Sequence, residues 1–181
     1  MQVCEELLEH LGMQWRCRQR YWEARERSRK HDDLLCMIID GFDKSKPVVP
    51  RWTSGRPPKG GVFERVRRPG LSIACVLAHG FAVHIFVASE ETPDNSSWTW
   101  ECLSRALQAT HEHCCKQNWR FPSQLWIQGD NTVRELKNQQ SALCSAMLLS
   151  AGCFRQVGVH HLPIGHTHED VGRCAAIRRF G

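Results

Sequence analysis

The 181-residue sequence contains no Cys-x-x-Cys pair among its ten cysteines, which removes the ligand spacing that zinc knuckles and dithiol redox sites need. Cys4, Cys17, Cys36, Cys75, Cys102, Cys114, Cys115, Cys144, Cys153 and Cys174 are scattered through apolar positions, and most are expected as small buried hydrophobes. There is no apolar core of signal-peptide type after Met1, where the sequence is instead amphipathic and charged, so an intracellular protein is expected. No internal repeat is present, which excludes solenoids and propellers. The chain has one long run free of charge, Leu71 to Ser89, about the length of the shortest bilayer-spanning helix, roughly 17 residues. His79-Gly80 interrupts that run at its middle and Val and Ile dominate its halves, so it predicts two strands and a turn, and no membrane partner.

What the sequence has instead is a globular composition, 41% apolar and 24% charged, which rules out disorder across the whole chain. Its length suits one domain with a substantial core. The formal net charge is +5, and it is concentrated. Lys44, Lys46, Arg51, Arg56, Lys59, Arg65, Arg67 and Arg68 stand against Glu64 alone in a stretch that also holds Pro47, Pro50, Pro57, Pro58, Gly55, Gly60 and Gly61. That composition predicts a long exposed basic loop, whose simplest partner is phosphate.

Glu5 to Lys30 has helical spacing, with Leu7, Leu8, Leu11 and Trp15 on one side and arginines crowding the later turns, and is expected as a basic helical appendage over residues 1–31. Leu34 to Ile39 is a short apolar run suited to a central strand, and Leu71–Leu77 and Phe81–Ala88 follow as a hairpin. A cluster of turn and N-cap residues, Thr92 to Ser97, precedes Trp100, Leu103, Leu107 and Cys114 at helical spacing. Leu125 to Gln128 predicts a fourth strand. Thr132 and Glu135 form a capping-box pattern ahead of a helix whose inward face is expected to be Leu136, Gln140, Leu143, Met147 and Ala151, stopped by Gly152. Val157 to Leu162 predicts a fifth strand, and Thr167 with Asp170 a cap for a last helix. Trp98, Trp100 and Trp126 are assigned to the core, while Trp15, Trp22 and Trp52, within or near basic segments, are placed to stack on bases or to support Arg against phosphate.

The element order is therefore βββαβαβα, an α/β domain over residues 32–181 with a mixed five-stranded sheet flanked by helices. In the ribonuclease-H-like fold, which has this order, the first and fourth strands are parallel neighbours at the middle of the sheet. If so here, Asp40 and Asp130, each at a strand's carboxyl end, reach the same edge, where α/β proteins usually bind ligands. Two carboxylates held close repel unless a divalent cation sits between them. Each also has a structural explanation, because Asp40-Gly41 is a common turn and Asp130 precedes a capped helix.

Three strings carry a resemblance to a known family: Ile39-Asp40-Gly41-Phe42-Asp43, Asp130 to Asn138, and Gly165-His166-Thr167-His168-Glu169-Asp170-Val171. Over residues 34–175 the sequence resembles the core of a transposase-derived, ribonuclease-H-like family of DDE type, known as a domain of unknown function and present in many copies in some eukaryotic genomes. The resemblance implies cut-and-paste DNA recombinase ancestry, Mg²⁺ or Mn²⁺ as cofactor, DNA as partner and a nuclear location. It matches Asp40 and Asp130 to the first and second acidic positions, with Asn131, Lys137, Asn138, His166 and His168 as motif residues. In such sequences an Asp follows the Gly-His-Thr string seven residues after its Gly; here that place is Gly172, and the last helix departs from the pattern and stops early, as in a damaged or truncated copy. Glu169 and Asp170 are the neighbouring acids that could substitute, as catalytic residues and, for Asp170, as a metal ligand.

The leading expectation is thus a Mg²⁺-dependent strand-cleaving or strand-transferring domain, inactive if Gly172 is not replaced. The main alternative is a non-catalytic nucleic-acid-binding module using Lys44, Lys46, Arg51, Arg65, Arg67, Arg68 and the Arg-rich first helix. A zinc-dependent hydrolase is the second alternative, built on His160, His161, His166 and His168 with Cys153 or Cys174, but that spacing fits no standard zinc pattern.

Overall fold

The structure is a computed structural model that describes residues 2–42, 68–129 and 135–161. The element order is α1 (Gln2–Arg29), β1 (Leu34–Phe42), β2 (Leu71–Ala78), β3 (Ala82–Ser89), α2 (Ser96–Gln117), β4 (Gln124–Gly129), α3 (Gln139–Ser150) and β5 (Gln156–His161). The strands form one mixed sheet in the order β3-β2-β1-β4-β5. β1 is antiparallel to β2 and parallel to β4, and β4 is parallel to β5. Connections of hairpin type join β2 to β3, and helices carry the chain between the parallel strands, as such pairings require. The expected final helix lies outside the described residues.

β1 is apolar on both sides because it is the middle strand, and Leu34 to Ile39 are all buried. Alternation along the strand divides them between two cores. Leu35, Met37 and Ile39 join Ala74, Val76, Leu125 and Ile127 beneath Trp100, Leu103, Ala106 and Leu107 of α2. Leu34, Cys36 and Ile38 join Cys75 beneath Tyr21 and Ala24 of α1. Each large apolar side chain in these cores contributes roughly 1.5–3 kcal/mol by leaving water.

The second half of α1 is built into the sheet, and the appendage expected from its sequence describes only the first half, where Val3, Leu7, Leu8 and Leu11 are exposed. A polar latch fixes the packed half. The Ser28 hydroxyl donates to the His79 carbonyl at 2.6 Å and accepts from the Cys36 backbone N–H at 3.0 Å, while the Tyr21 hydroxyl bonds His79 Nε2 at 2.9 Å. Gly80 makes the β2–β3 turn at φ +83, and a Cβ there would lie 2.8 Å from the Ser28 carbonyl oxygen, so both the turn and the helix contact require glycine.

α2 begins where the turn cluster predicted: the Asn95 side chain accepts from the Trp98 N–H, and Asn118 ends the helix in left-handed conformation. α3 corrects the expected capping box. Its cap is Asn138, which accepts from the Ser141 N–H, so the helix starts after Glu135 and not at Thr132. Its inward side is also different. Ser141 is buried and Cys144 and Leu148 pack on the core, whereas Leu143 and Met147, expected inside, are exposed.

Among the described residues no helix is long and apolar enough to cross a membrane, and Leu71–Ser89 forms the two strands expected of it. Cys36, Cys75, Cys102 and Cys114 are buried, but Cys4, Cys115 and Cys153 are exposed, contrary to a general expectation of burial. Burial pushes the Cys102 thiol up to about 12, so it is inert at neutral pH.

Candidate functional site

The register of β1 against β4 determines which residues share an edge. Ile38 is paired with Gln128, and β4 ends one residue later at Gly129. Asp40 stands two residues beyond Ile38, half-buried near the end of β1, and Cys75 is its antiparallel partner on the other side. Strand alternation carries Asp40 to the same side of the sheet as Leu34, Cys36 and Ile38, the side on which α1 lies. The next residue in the sequence after Gly129 is Asp130, which lies outside the described residues. So do Lys44, Lys46, Arg51, Arg65, Arg67, Trp52, Asn131, His166, His168, Glu169, Asp170, Gly172 and Cys174.

The end of β4 is held firmly. Gln128 is fully buried, and its amide Nε2 donates to the His160 carbonyl at 3.2 Å, tying β4 to β5. Leu136 folds back over Gly129 so closely that a Cβ at Gly129 would collide with it, which explains the glycine ahead of the acidic position. Asn138, expected as a motif residue, has a structural task. It caps α3 and donates from Nδ2 to Ser96 Oγ at 2.6 Å, while Trp100 Nε1 donates to Ser141 Oγ at 3.1 Å, so the amino ends of α2 and α3 are joined beside this edge. Lys137 is exposed. Arg68 is half-buried.

Two further carboxylates at this edge escaped the sequence reading. Glu90 accepts from the Gly70 N–H at 2.9 Å and Asp94 accepts from Ser72 Oγ at 3.0 Å, both anchoring the chain as it enters β2. Their turn-rich setting in the sequence gave no sign of it.

The histidines are dispersed. No group of three His, Cys, Asp or Glu side chains among the described residues is arranged to hold a metal ion. His160 stacks on Trp126 with ring centroids 3.4 Å apart and planes within 8°, so it is engaged as a ring. Burial, His161 and Arg20 lower its pKa, in that order, and hold it neutral at neutral pH. Cys153 is exposed at the far end of the sheet, beside Arg120 and Arg155. Trp100 is buried, and the half-buried Trp98 and Trp126 pack against the larger and the smaller core respectively.

Asp33 occupies the opposite end of β1 from Asp40. It accepts from the Ser123 N–H at 2.8 Å, from Ser123 Oγ at 2.7 Å and from Arg155 at 3.2 Å, stitching together the starts of β1, β4 and β5. The Ser123 hydrogen bonds, aided by Arg120 and Arg155, hold its carboxyl below the ordinary carboxylate range.

The chain matches the family described as Domain of unknown function (DUF7869) over residues 68–174, and it belongs to that family. No curated protein and no solved structure matches it.

Proposed function

We propose that this chain is a transposase-derived, ribonuclease-H-like nucleic-acid-processing domain whose strand-cleaving activity is lost or much reduced. The observation that supports it is the parallel pairing of β1 with β4 in a register that ends β4 just before Asp130 and leaves Asp40 near the end of β1. That is the arrangement a paired-carboxylate cation site needs from its two central strands. Asp40 and Asp130 are the residues that would hold Mg²⁺ or Mn²⁺, with Asp170 or Glu169 as the nearest acids to complete the set. When bound, the ion would supply Lewis acidity toward a phosphodiester. The chain's own contribution is a rigid seat: Gln128, Leu136 and the Asn138 cap hold the end of β4 and the start of α3 in place.

Gly172, at the third acidic position of similar sequences, supplies no ligand. Loss of that ligand's share of transition-state charge costs several kcal/mol, or orders of magnitude in rate. Supercoiled DNA incubated with the chain and Mg²⁺ should therefore show little or no nicking, and Gly172→Asp should restore part of it. Robust Mg²⁺-dependent nicking by the unaltered chain, abolished by Asp170→Asn or Glu169→Gln, would show that a neighbouring acid has taken the role.

A DNA-binding role without cleavage would rest on the basic stretch. Duplex affinity should fall steeply with salt, and neutral replacements at Arg65, Arg67 and Arg68 should flatten that slope. An unchanged slope would put the duplex surface elsewhere.

A further inference from the structure

α1 covers β1 and part of β2, and between the helix and β4–β5 lies a cleft of about 240 Å³. Arg20, Glu23, Ala24 and Arg27 form its helical wall, and Trp126, Gly158 and His160 its floor. We infer that this cleft seats a nucleobase and its phosphate, the base stacking on the Trp126–His160 pair and the phosphate resting on Arg20.

Three observations carry this. Rings stacked face to face leave an outer aromatic face, and every base has a π-face to lay on it. The cleft is smaller than the roughly 300–1,000 Å³ of a drug-sized pocket, which suits a single planar ring system. Arg20 is exposed and has no ion-pair partner among the described residues, whereas Arg27 is held by Asp32 at 3.3 Å, so Arg20 is the cation free to meet a phosphate. Burial, followed by His161 and Arg20, lowers the pKa of His160, so it stacks as a neutral ring.

The cleft lies on the same side of the sheet as Asp40. Trp126 is level with Cys36, four residues before Asp40 on β1, or roughly 13 Å along the strand at about 3.3 Å per residue. That is the length of about four stacked nucleotides at roughly 3.4 Å each. In taking a nucleic-acid strand as the source of the base, the inference rests on the proposed function; the chemistry of the seat does not.

The test is fluorescence anisotropy of a short labelled single-stranded oligodeoxynucleotide with the full chain in EDTA, so that failure of the cation site leaves the readout untouched. His160→Ala should weaken binding by about 5- to 150-fold, the range for loss of one base-stacking side chain. Gly158→Ala should do the same without deleting a ring, because its Cβ would lie 2.5 Å from His160 Nε2 and displace the imidazole. Arg20→Ala should weaken binding and reduce its dependence on salt. Competition by free deoxyadenosine monophosphate, with the same sensitivity to these variants, would identify a free-nucleotide seat; binding of the strand alone would identify a strand seat. His160→Ala and Gly158→Ala chains with unchanged circular dichroism and wild-type affinity for both probes would overturn the inference.

Discussion

The two faces of the sheet are covered to different extents. On one, α2 and α3 close over Leu35, Met37, Ile39, Val76, Leu125 and Ile127 and leave almost no floor in contact with water. On the other, the single helix α1 covers β1 and part of β2, with Trp126 and His160 half-buried to one side and Val83, Ile85 and Val87 exposed to the other. The closed face contributes most of the burial and the half-open face carries the groups with chemistry, Asp40 among them. A face that admits the proposed ligands cannot also be a full core.

The largest expected effect breaks the closed face. Leu103 of α2 is fully buried against the sheet, and Leu103→Ala should cost about 2–5 kcal/mol in denaturant unfolding through lost transfer energy and the cavity left behind. A cost below about 1 kcal/mol would mean that α2 does not seal this face. The latch that binds α1 to the half-open face comes next. Ser28→Ala strands the buried Cys36 N–H and should cost about 1–3 kcal/mol, with hydrogen exchange faster in residues 17–28 than in α2. Uniform exchange in both helices would show that the two faces open as one unit.

The end of the sheet remote from Asp40 gives a smaller and pH-dependent effect. Asp33→Asn keeps a residue that tolerates positive φ but weakens charge-assisted bonds, and should cost about 1–2 kcal/mol at neutral pH. Because the folded-state pKa of Asp33 is lowered, its stabilisation is complete above the ordinary carboxylate pKa and lost as pH falls through the lower folded value. Wild type and variant should therefore converge in stability in acid; a gap that persists there would assign the effect to shape. The smallest effect is at the exposed edge strand, where Ile85→Thr should change stability by no more than about 0.5 kcal/mol.

Much of this architecture is legible in the sequence because burial on both sides writes a continuous apolar run, as in Leu34 to Ile39, and burial on one side writes a helical stripe, as in Trp100, Leu103 and Leu107 of α2. α3 was misplaced for the same reason in reverse. Apolar residues surround it, so periodicity picks Leu143 and Met147, while the position that is buried is Ser141, selected by hydrogen bonds to Asn138 and Trp100 that no hydropathy pattern records. Of the expected capping box, Thr132 lies outside the described residues, and α3 is capped instead by Asn138, whose side chain also reaches Ser96. Of the site, the placement of Asp40 at the carboxyl end of a central strand was readable from Asp40-Gly41 ending an apolar run. The Trp126–His160 stack was not, because it depends on how far α1 extends across the sheet and on Gly158 leaving room for the imidazole.

The central claim is that Asp40 and Asp130 share a divalent cation, and Mn²⁺ titration followed by electron paramagnetic resonance tests it directly. The account predicts saturable binding by the full chain that is lost in both Asp40→Asn and Asp130→Asn, with folding unchanged and Mg²⁺ competing for the site. Binding that survives both substitutions, or no saturable binding by the unaltered chain, would contradict it.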